Sequence, residues 1–345
     1  MSMLRKTFIL FLVLALALSG CAFGGVDTEK KQYQATFLTL FDTVTAISGL
    51  AESQEEFQAQ AQAIHDALLE YHRLFDIYND YEGLNNLKTV NDNAGIAPVA
   101  VDGRIIALLQ DCKAYYDLTG GLVNVAMGSV LELWHEARDA GINDPANAYL
   151  PDTDALAQAA AHCDWDKVII DEEASTVYLA DPDMRLDVGA VAKGWSAQRV
   201  AEMAPAGLLI SVGGNVCATG PKDDAGTAWV VGIADPDGGD GYLNTLYVTE
   251  GSVVTSGDYQ RYYVVDGTAY HHIIDPATLY PGEYWRSVTI LCADSALADA
   301  LSTALFLLPR EDGQGLLEQC GAEAMWVDAA GNCYYSPGFG QHIRT

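Results

Sequence analysis

Leu186-Asp187-Val188-Gly189-Ala190-Val191-Ala192-Lys193-Gly194 sets an acid, a flexible glycine and a lysine where a strand turns into a helix. The helix runs on from Ala190 to Met203. Its first N–H groups suit a phosphate, and Lys193 adds positive charge. The segment is not a P-loop, because G-x-x-x-x-G-K-S/T is absent. Taken alone, it is explained equally well by a capped helix with a surface lysine.

The segment lies inside a change of texture that begins near Val168. Val168-Ile169-Ile170 and Val177-Tyr178-Leu179 flank a turn, as in a hairpin. Leu208–Val212, Trp229–Ile233 and Leu246–Val248 read as further strands, and Asp266-Gly267 marks a hairpin between Val264-Val265 and His271–Ile274. A late helix spans Ala296 to Leu308. Upstream, residues 35–48 read as a first strand. Phe57, Ala61, Ile64, Leu68, Tyr71 and Leu74 recur at helical spacing within 52–78. Helices follow over 103–118, 126–138 and 153–163, the last capped by Asp152. Helices come mostly first and antiparallel strands mostly later, so the fold class is α+β, in one catalytic domain over residues 35–345.

The first twenty residues read as a targeting segment. Arg5 and Lys6 precede an apolar run, Thr7 to Leu18, too short for the ~20 residues of a membrane-spanning helix. Leu18-Ser19-Gly20-Cys21 then ends it as a lipoprotein signal does, with Cys21 acylated as the new N-terminus. Residues 21–34 are small and polar and read as a tether. The full chain carries a formal charge of -29, and cleavage removes two cations and no acid. Such a surface repels nucleic acid. A nucleotide needs backbone N–H groups and a metal to offset its charge. Cys112, Cys163, Cys217, Cys292, Cys320 and Cys333 form no C-x-x-C pair and read as buried free thiols.

Three more segments carry polar groups where a plain core would not. Ser211-Val212-Gly213-Gly214-Asn215 follows an apolar run, and its glycines permit either close ligand approach or a tight turn. Thr255-Ser256-Gly257-Asp258-Tyr259-Gln260-Arg261 and His271-His272-Ile273-Ile274-Asp275-Pro276 bring an acid, an arginine and two histidines around one hairpin. The pleat sends His271 and His272 to opposite faces, so one is structural and the other is free for proton transfer, with an ordinary pKa of ~6.5. On the late helix, Asp299 and Thr303 are one turn apart and form either a hard-oxygen site for Mg²⁺ or a bond between polar neighbours.

In order and spacing these motifs resemble the ApbE family of FAD:protein FMN transferases, from Phe37-Leu38-Thr39-Leu40-Phe41-Asp42-Thr43 to about Trp326. The resemblance implies one α+β unit with FAD in a cleft. It implies that Asp187 and Lys193 hold FAD, that Tyr78 lies near a flavin or adenine ring, and that Gly121, Leu122, Val123 and Ile273 line the cofactor. The Ala190 carbonyl, Asp299 and Thr303 are the implied Mg²⁺ ligands. His272, His271 and Asp258 are the implied groups for proton transfer and pyrophosphate contact. Family members often carry Gly-Ala-Phe-Asp where this chain has Gly120-Gly121-Leu122-Val123, Met-Gly-Thr where it has Phe41-Asp42-Thr43, and Asp-Pro-x-Thr-Gly where it has Asp275-Pro276-Ala277-Thr278-Leu279.

The expected reaction is Mg²⁺-dependent transfer of FMN from FAD to a Ser or Thr hydroxyl of a target protein, with release of AMP. An FAD pyrophosphatase and a non-catalytic FAD-binding lipoprotein are the alternatives. The implied setting is the outer side of a cell membrane, reached through the lipid on Cys21, with an exported or membrane protein as acceptor.

Overall fold

Phe41 and Asp42 both adopt left-handed backbone, with φ of 52° and 53°. Two such residues make the turn whose twist matches a β-hairpin. They split the expected strand over 35–48 into β1 (Lys31–Leu40) and β2 (Thr43–Ala51), paired antiparallel. Strand β1 starts at Lys31, so residues 31–34 belong to the sheet and not to the tether. The structure, a computed structural model, describes residues 30–345 except position 240. The signal segment, Cys21 and the rest of the tether lie outside the described residues.

Helix α1 (Gln54–Phe75) begins where the Ser53 hydroxyl accepts the Glu56 N–H, and it buries Phe57, Ala61, Ile64 and Leu68. It stops three residues short of Tyr78 because the Asp76 carboxylate accepts the N–H groups of Tyr78 and Asn79, folding the chain into a turn. A short helix α2 (Leu87–Asp92), closed by an Asn86–Thr89 capping box, was not evident from periodicity. After β3 (Val99–Ala100) come α3 (Gly103–Leu118), α4 (Gly128–Asn143) and α5 (Thr153–Ala160). The Asp152 cap of α5 is present. Strands β4 (Val168–Asp171) and β5 (Thr176–Leu179) form the expected hairpin, and β3 joins it.

The rest of the chain builds the main sheet and covers it. Helix α6 (Ala192–Met203) leads to β6 (Leu208–Val212) and β7 (Asn215–Ala218). Strands β8 (Trp229–Ala234) and β9 (Tyr242–Val248) pair as a separate ribbon, before β10 (Gly251–Gly257). Strands β11 (Tyr262–Val265) and β12 (Thr268–His271) form the Asp266-Gly267 hairpin. Then follow β13 (Ser287–Cys292), α7 (Ser295–Phe306), α8 (Arg310–Cys320), β14 (Glu323–Val327) and β15 (Cys333–Tyr335). The sheet order is β1-β2-β6-β7-β10-β13-β14-β15, antiparallel throughout. Helices α6 and α7 pack on each other and on β7, β10 and β13. Their crossing positions the site. Among the described residues, the six cysteines are free and no helix is long and apolar enough to cross a membrane.

Candidate functional site

Gly194 and Asp299 meet where α6 crosses α7. The Gly194 N–H donates to Asp299 Oδ2 at 2.8 Å, and both residues are buried. In a continuous helix that N–H would close onto the Ala190 carbonyl. Here it turns to Asp299 instead. A Cβ on Gly194 would stand 2.4 Å from both Asp299 Cβ and the Ser295 carbonyl oxygen, so only glycine permits this approach. Asp299 Oδ1 faces Lys193 Nζ at 3.6 Å, too long for a tight hydrogen bond. Thr303 lies one turn further along α7, partly exposed, and no side-chain bond ties it to Asp299.

The helix start itself differs from the sequence expectation. The N–H groups of Val191 and Ala192 bond to the Val188 carbonyl at 3.0 and 2.8 Å, and that of Gly194 goes to Asp299. Most of the N–H groups expected to meet phosphate are therefore used inside the protein. The anion at this helix end is Asp299, which the helix dipole favours. The approach to the helix is not a sheet strand either. Residue 185 makes one bridge to Met127, and the buried Asn91 side chain holds both backbone groups of Leu186, at 2.8 and 3.0 Å. Asp187 is buried, and its Oδ1 accepts the Gly189 N–H at 2.8 Å.

Asp187 looks toward α4, where His135 Nε2 stands 3.9 Å from its Oδ2. The other ring nitrogen of His135 is 3.1 Å from the Tyr78 hydroxyl. Burial lowers the His135 pKa, with Asp187 acting in the opposite sense. The Tyr78 ring is 59% exposed, as a stacking platform requires. Its backbone is pinned by Asp76, which also accepts from the Asn79 amide and the Tyr81 hydroxyl. Burial works against the Asp76 anion, but these four hydrogen bonds together hold its pKa below the usual value.

The two histidines differ in their bonding, and β12 ends at His271, so His272 lies beyond the strand that the sequence placed over 271–274. His271 donates from Nε2 to the Gly282 carbonyl at 2.9 Å, accepts the Ile273 N–H on Nδ1 at 3.2 Å, and sets its ring edge against Phe306 of α7. Both of its nitrogens are used. His272 donates from Nδ1 to the Arg261 carbonyl at 3.2 Å, which leaves the Nε2 lone pair free. Burial first, then the charges of Arg261, Lys193 and His271, lower its pKa to about 3, in place of the ordinary value expected from sequence. A shallow cleft lined by Trp134, His135, Arg138, Tyr270, His271 and His272 connects this hairpin to α4.

Asp258 sits under the same hairpin, but Arg286 Nε donates to its Oδ2 at 3.0 Å, while its Oδ1 is buried without a partner. Ile273 is buried in the α7 core, its N–H donates to His271 Nδ1, and its carbonyl accepts the Gly282 N–H. Gly121 has a φ of 90°, Leu122 packs inward, and the buried Val123 gives its N–H to the Thr119 hydroxyl. Gly213 and Gly214, at φ 59° and 90°, are the two-residue turn between β6 and β7. His162, Asp181 and Asp183 also bring ligand atoms within 4.8 Å of one another, but both oxygens of Asp181 are engaged by His162 Nδ1 and Asp183 is exposed.

A family model described as the ApbE family matches residues 41–326. The chain belongs to the ApbE family. Among its relatives is the FAD:protein FMN transferase of Treponema pallidum (strain Nichols), 37% identical over 75% of each chain. That of Klebsiella pneumoniae (strain 342) is 33% identical, over 72% of this chain and 78% of the relative. The crystal structure of the ApbE protein from Thermotoga maritima superposes with a TM-score of 0.78 at 29% identity, covering 91% of this chain and all of that one. Flavin Transferase ApbE from Vibrio cholerae shares the fold at 21% identity, with a TM-score of 0.74.

Two departures from the ApbE pattern are explained by the backbone. Asp42 and Leu279, at two positions where the family resemblance led to an expectation of glycine, both keep left-handed backbone, at φ 53° and 65°. Left-handed backbone disfavours L-residues by about 1–2 kcal/mol, less for Asp than for Leu. At Leu279 the conformation is held by an N–H bond to Asp275 (2.8 Å) and by Trp134, which donates to its carbonyl at 2.9 Å. His135, Asn91 and Arg286 were not singled out from sequence. His135 follows Trp134 on the inward face of α4, which was the one available signal; Asn91 and Arg286 act only through partners distant in the chain.

Proposed function

We propose that this chain moves FMN from FAD onto a Ser or Thr hydroxyl of a target protein, releases AMP, and depends on Mg²⁺. Membership of the ApbE family supports the reaction, and its relatives bear that name. The observation that carries the site is the Gly194–Asp299 contact. It sets a carboxylate beside a lysine, and it draws away the N–H that would otherwise close onto the Ala190 carbonyl. A carboxylate, the Ala190 carbonyl and the Thr303 hydroxyl are hard oxygen donors, and this set fits Mg²⁺. Bound there, Mg²⁺ supplies charge neutralisation at the FAD pyrophosphate and at the departing AMP.

The chain's own residues do the rest. Lys193 offsets phosphate charge, and Tyr78 presents an aromatic face to a ring of FAD. The acceptor hydroxyl attacks the FMN phosphorus, the bond from that phosphorus to the AMP phosphate breaks, and the hydroxyl proton passes to Nε2 of His272. That nitrogen is unprotonated at neutral pH. The negative pyrophosphate, once bound, offsets the cations that lower the His272 pKa and so strengthens it as a base. Asp258 is a poorer candidate for the base, since Arg286 already occupies one of its oxygens.

The lipoprotein ending at Cys21 supports a lipid-anchored location on the extracytoplasmic side of the cell membrane, with an exported or membrane acceptor. Incubation with FAD, Mg²⁺ and a flavin-accepting protein, followed by mass spectrometry, tests the reading. An acceptor heavier by an FMN ester supports it. Free FMN and AMP with an unmodified acceptor indicate a pyrophosphatase, and intact FAD retained on the chain indicates a flavin store.

A further inference from the structure

Tyr78 and Asp187 come from separate loops, yet one side chain reaches both. His135 Nδ1 lies 3.1 Å from the Tyr78 hydroxyl, and its Nε2 lies 3.9 Å from Asp187 Oδ2. In the tautomer with the proton on Nε2, the Tyr78 hydroxyl donates to Nδ1 and the Nε2–H is directed at the carboxylate. The second contact is too long for a hydrogen bond but within reach of charge–dipole attraction. The mount is rigid. Helix α4 is tied to the segment before Asp187 by the Gly128 N–H, which donates to the Arg185 carbonyl at 3.0 Å, and by the Ser129 hydroxyl, which donates to the Asp183 carbonyl at 2.6 Å. A Cβ on Gly128 would come within 2.5 Å of that Arg185 oxygen. Tyr78 is largely exposed, and the contact of its hydroxyl with His135 restricts rotation about its side-chain bonds.

We propose that His135 is a positioning residue for the flavin nucleotide, holding the Tyr78 ring and the Asp187 carboxylate at fixed spacing before FAD binds. The proposal rests on the reading of FAD as the ligand. Pre-ordering one aromatic side chain improves affinity by about 3- to 10-fold, because the bound conformation no longer has to be selected on binding. The effect falls on FAD affinity and not on the phosphoryl step, since the polar contacts of His135 are with Tyr78 and Asp187 and not with the proposed metal ligands or the proposed base.

The test compares His135→Ala, His135→Asn, Tyr78→Phe and the double variant His135→Ala/Tyr78→Phe. FAD affinity is read by flavin fluorescence, kcat and KM by FMN transfer, and folding by circular dichroism. His135→Ala should weaken FAD binding and raise KM for FAD about 3- to 10-fold, with kcat within about two-fold. Tyr78→Phe keeps the ring and loses the tether, so it should match His135→Ala, and the double variant should be no worse than either single one. His135→Asn, whose amide oxygen replaces Nδ1 as acceptor, should recover part of the loss. Losses that multiply in the double variant, or a fall in kcat at saturating FAD, would overturn the proposal. Unchanged affinity in Tyr78→Phe overturns it even where His135→Ala fails to fold. Failure of the unaltered chain to bind FAD would be a different result, overturning the flavin reading and this proposal with it.

Discussion

Gly194→Ala places one methyl group in the contact on which the site depends. The new carbon would stand 2.4 Å from Asp299 Cβ, 2.4 Å from the Ser295 carbonyl oxygen and 3.0 Å from Asp299 Oδ2. Ordinary contact needs about 3.5 Å, so α6 and α7 must part by roughly 1 Å. One obstacle is backbone and cannot rotate away. Overpacking of this kind destabilises by about 1–3 kcal/mol. Stretching the Gly194 N–H···Asp299 bond, which ends on a buried carboxylate, removes about 1.5–3 kcal/mol more. The better helix propensity of alanine returns about 1 kcal/mol. The net loss is about 1.5–5 kcal/mol, read by urea denaturation followed by circular dichroism. Transfer at ordinary Mg²⁺ should also fail, because Asp299 and the Ala190 carbonyl move apart. Gly315→Ala in α8 is the control: nothing lies within 4 Å of its Cβ, so it should stabilise by up to about 1 kcal/mol. Gly194→Ala with unaltered stability and turnover would show that the two helices are not in this contact, and the metal-site reasoning would go with it.

His272→Ala should leave FAD binding intact and slow transfer by roughly 10²–10⁴, while His271→Ala should mainly lower stability. Because the His272 pKa is lowered to about 3, kcat/KM should show no acid limb near pH 6.5, and such a limb would refute the shift. The same shift has a stability sign. Between about pH 6.5 and 3 the unfolded chain takes up the proton and the folded chain does not, so stability falls as pH falls, by up to about 1.4 kcal/mol per pH unit, and His272→Ala should flatten that slope in acid denaturation. Asp299→Ala should abolish transfer at ordinary Mg²⁺ with a smaller loss of FAD binding; full turnover would remove Asp299 from the metal site. Cys21→Ala should release the protein from membranes or leave it unprocessed, and an unmodified mature N-terminus at another residue would end the lipoprotein reading.

The sequence by itself determined whatever depends on near neighbours. The α1 stripe, the Asp152 cap, the Asp266-Gly267 hairpin and the one-turn spacing of Asp299 and Thr303 are set by periodicity and turn chemistry within a few residues. Motif order was also enough to point to the family. Tertiary structure decided what each polar group meets. Phe41-Asp42 lacks a glycine, so the β1–β2 turn is held by its setting and left no strong local signal. The first N–H groups of α6 looked open to phosphate until Asp299, far along the chain, took one of them. Asn91 braces Leu186, and His135 links Tyr78 to Asp187, each between segments far apart in sequence. The His272 pKa falls first through burial, then through Arg261 and Lys193, brought from other segments, and through the adjacent His271. Hydrogen-bond partners and desolvation are properties of three-dimensional neighbours, and no local pattern of residues encodes them.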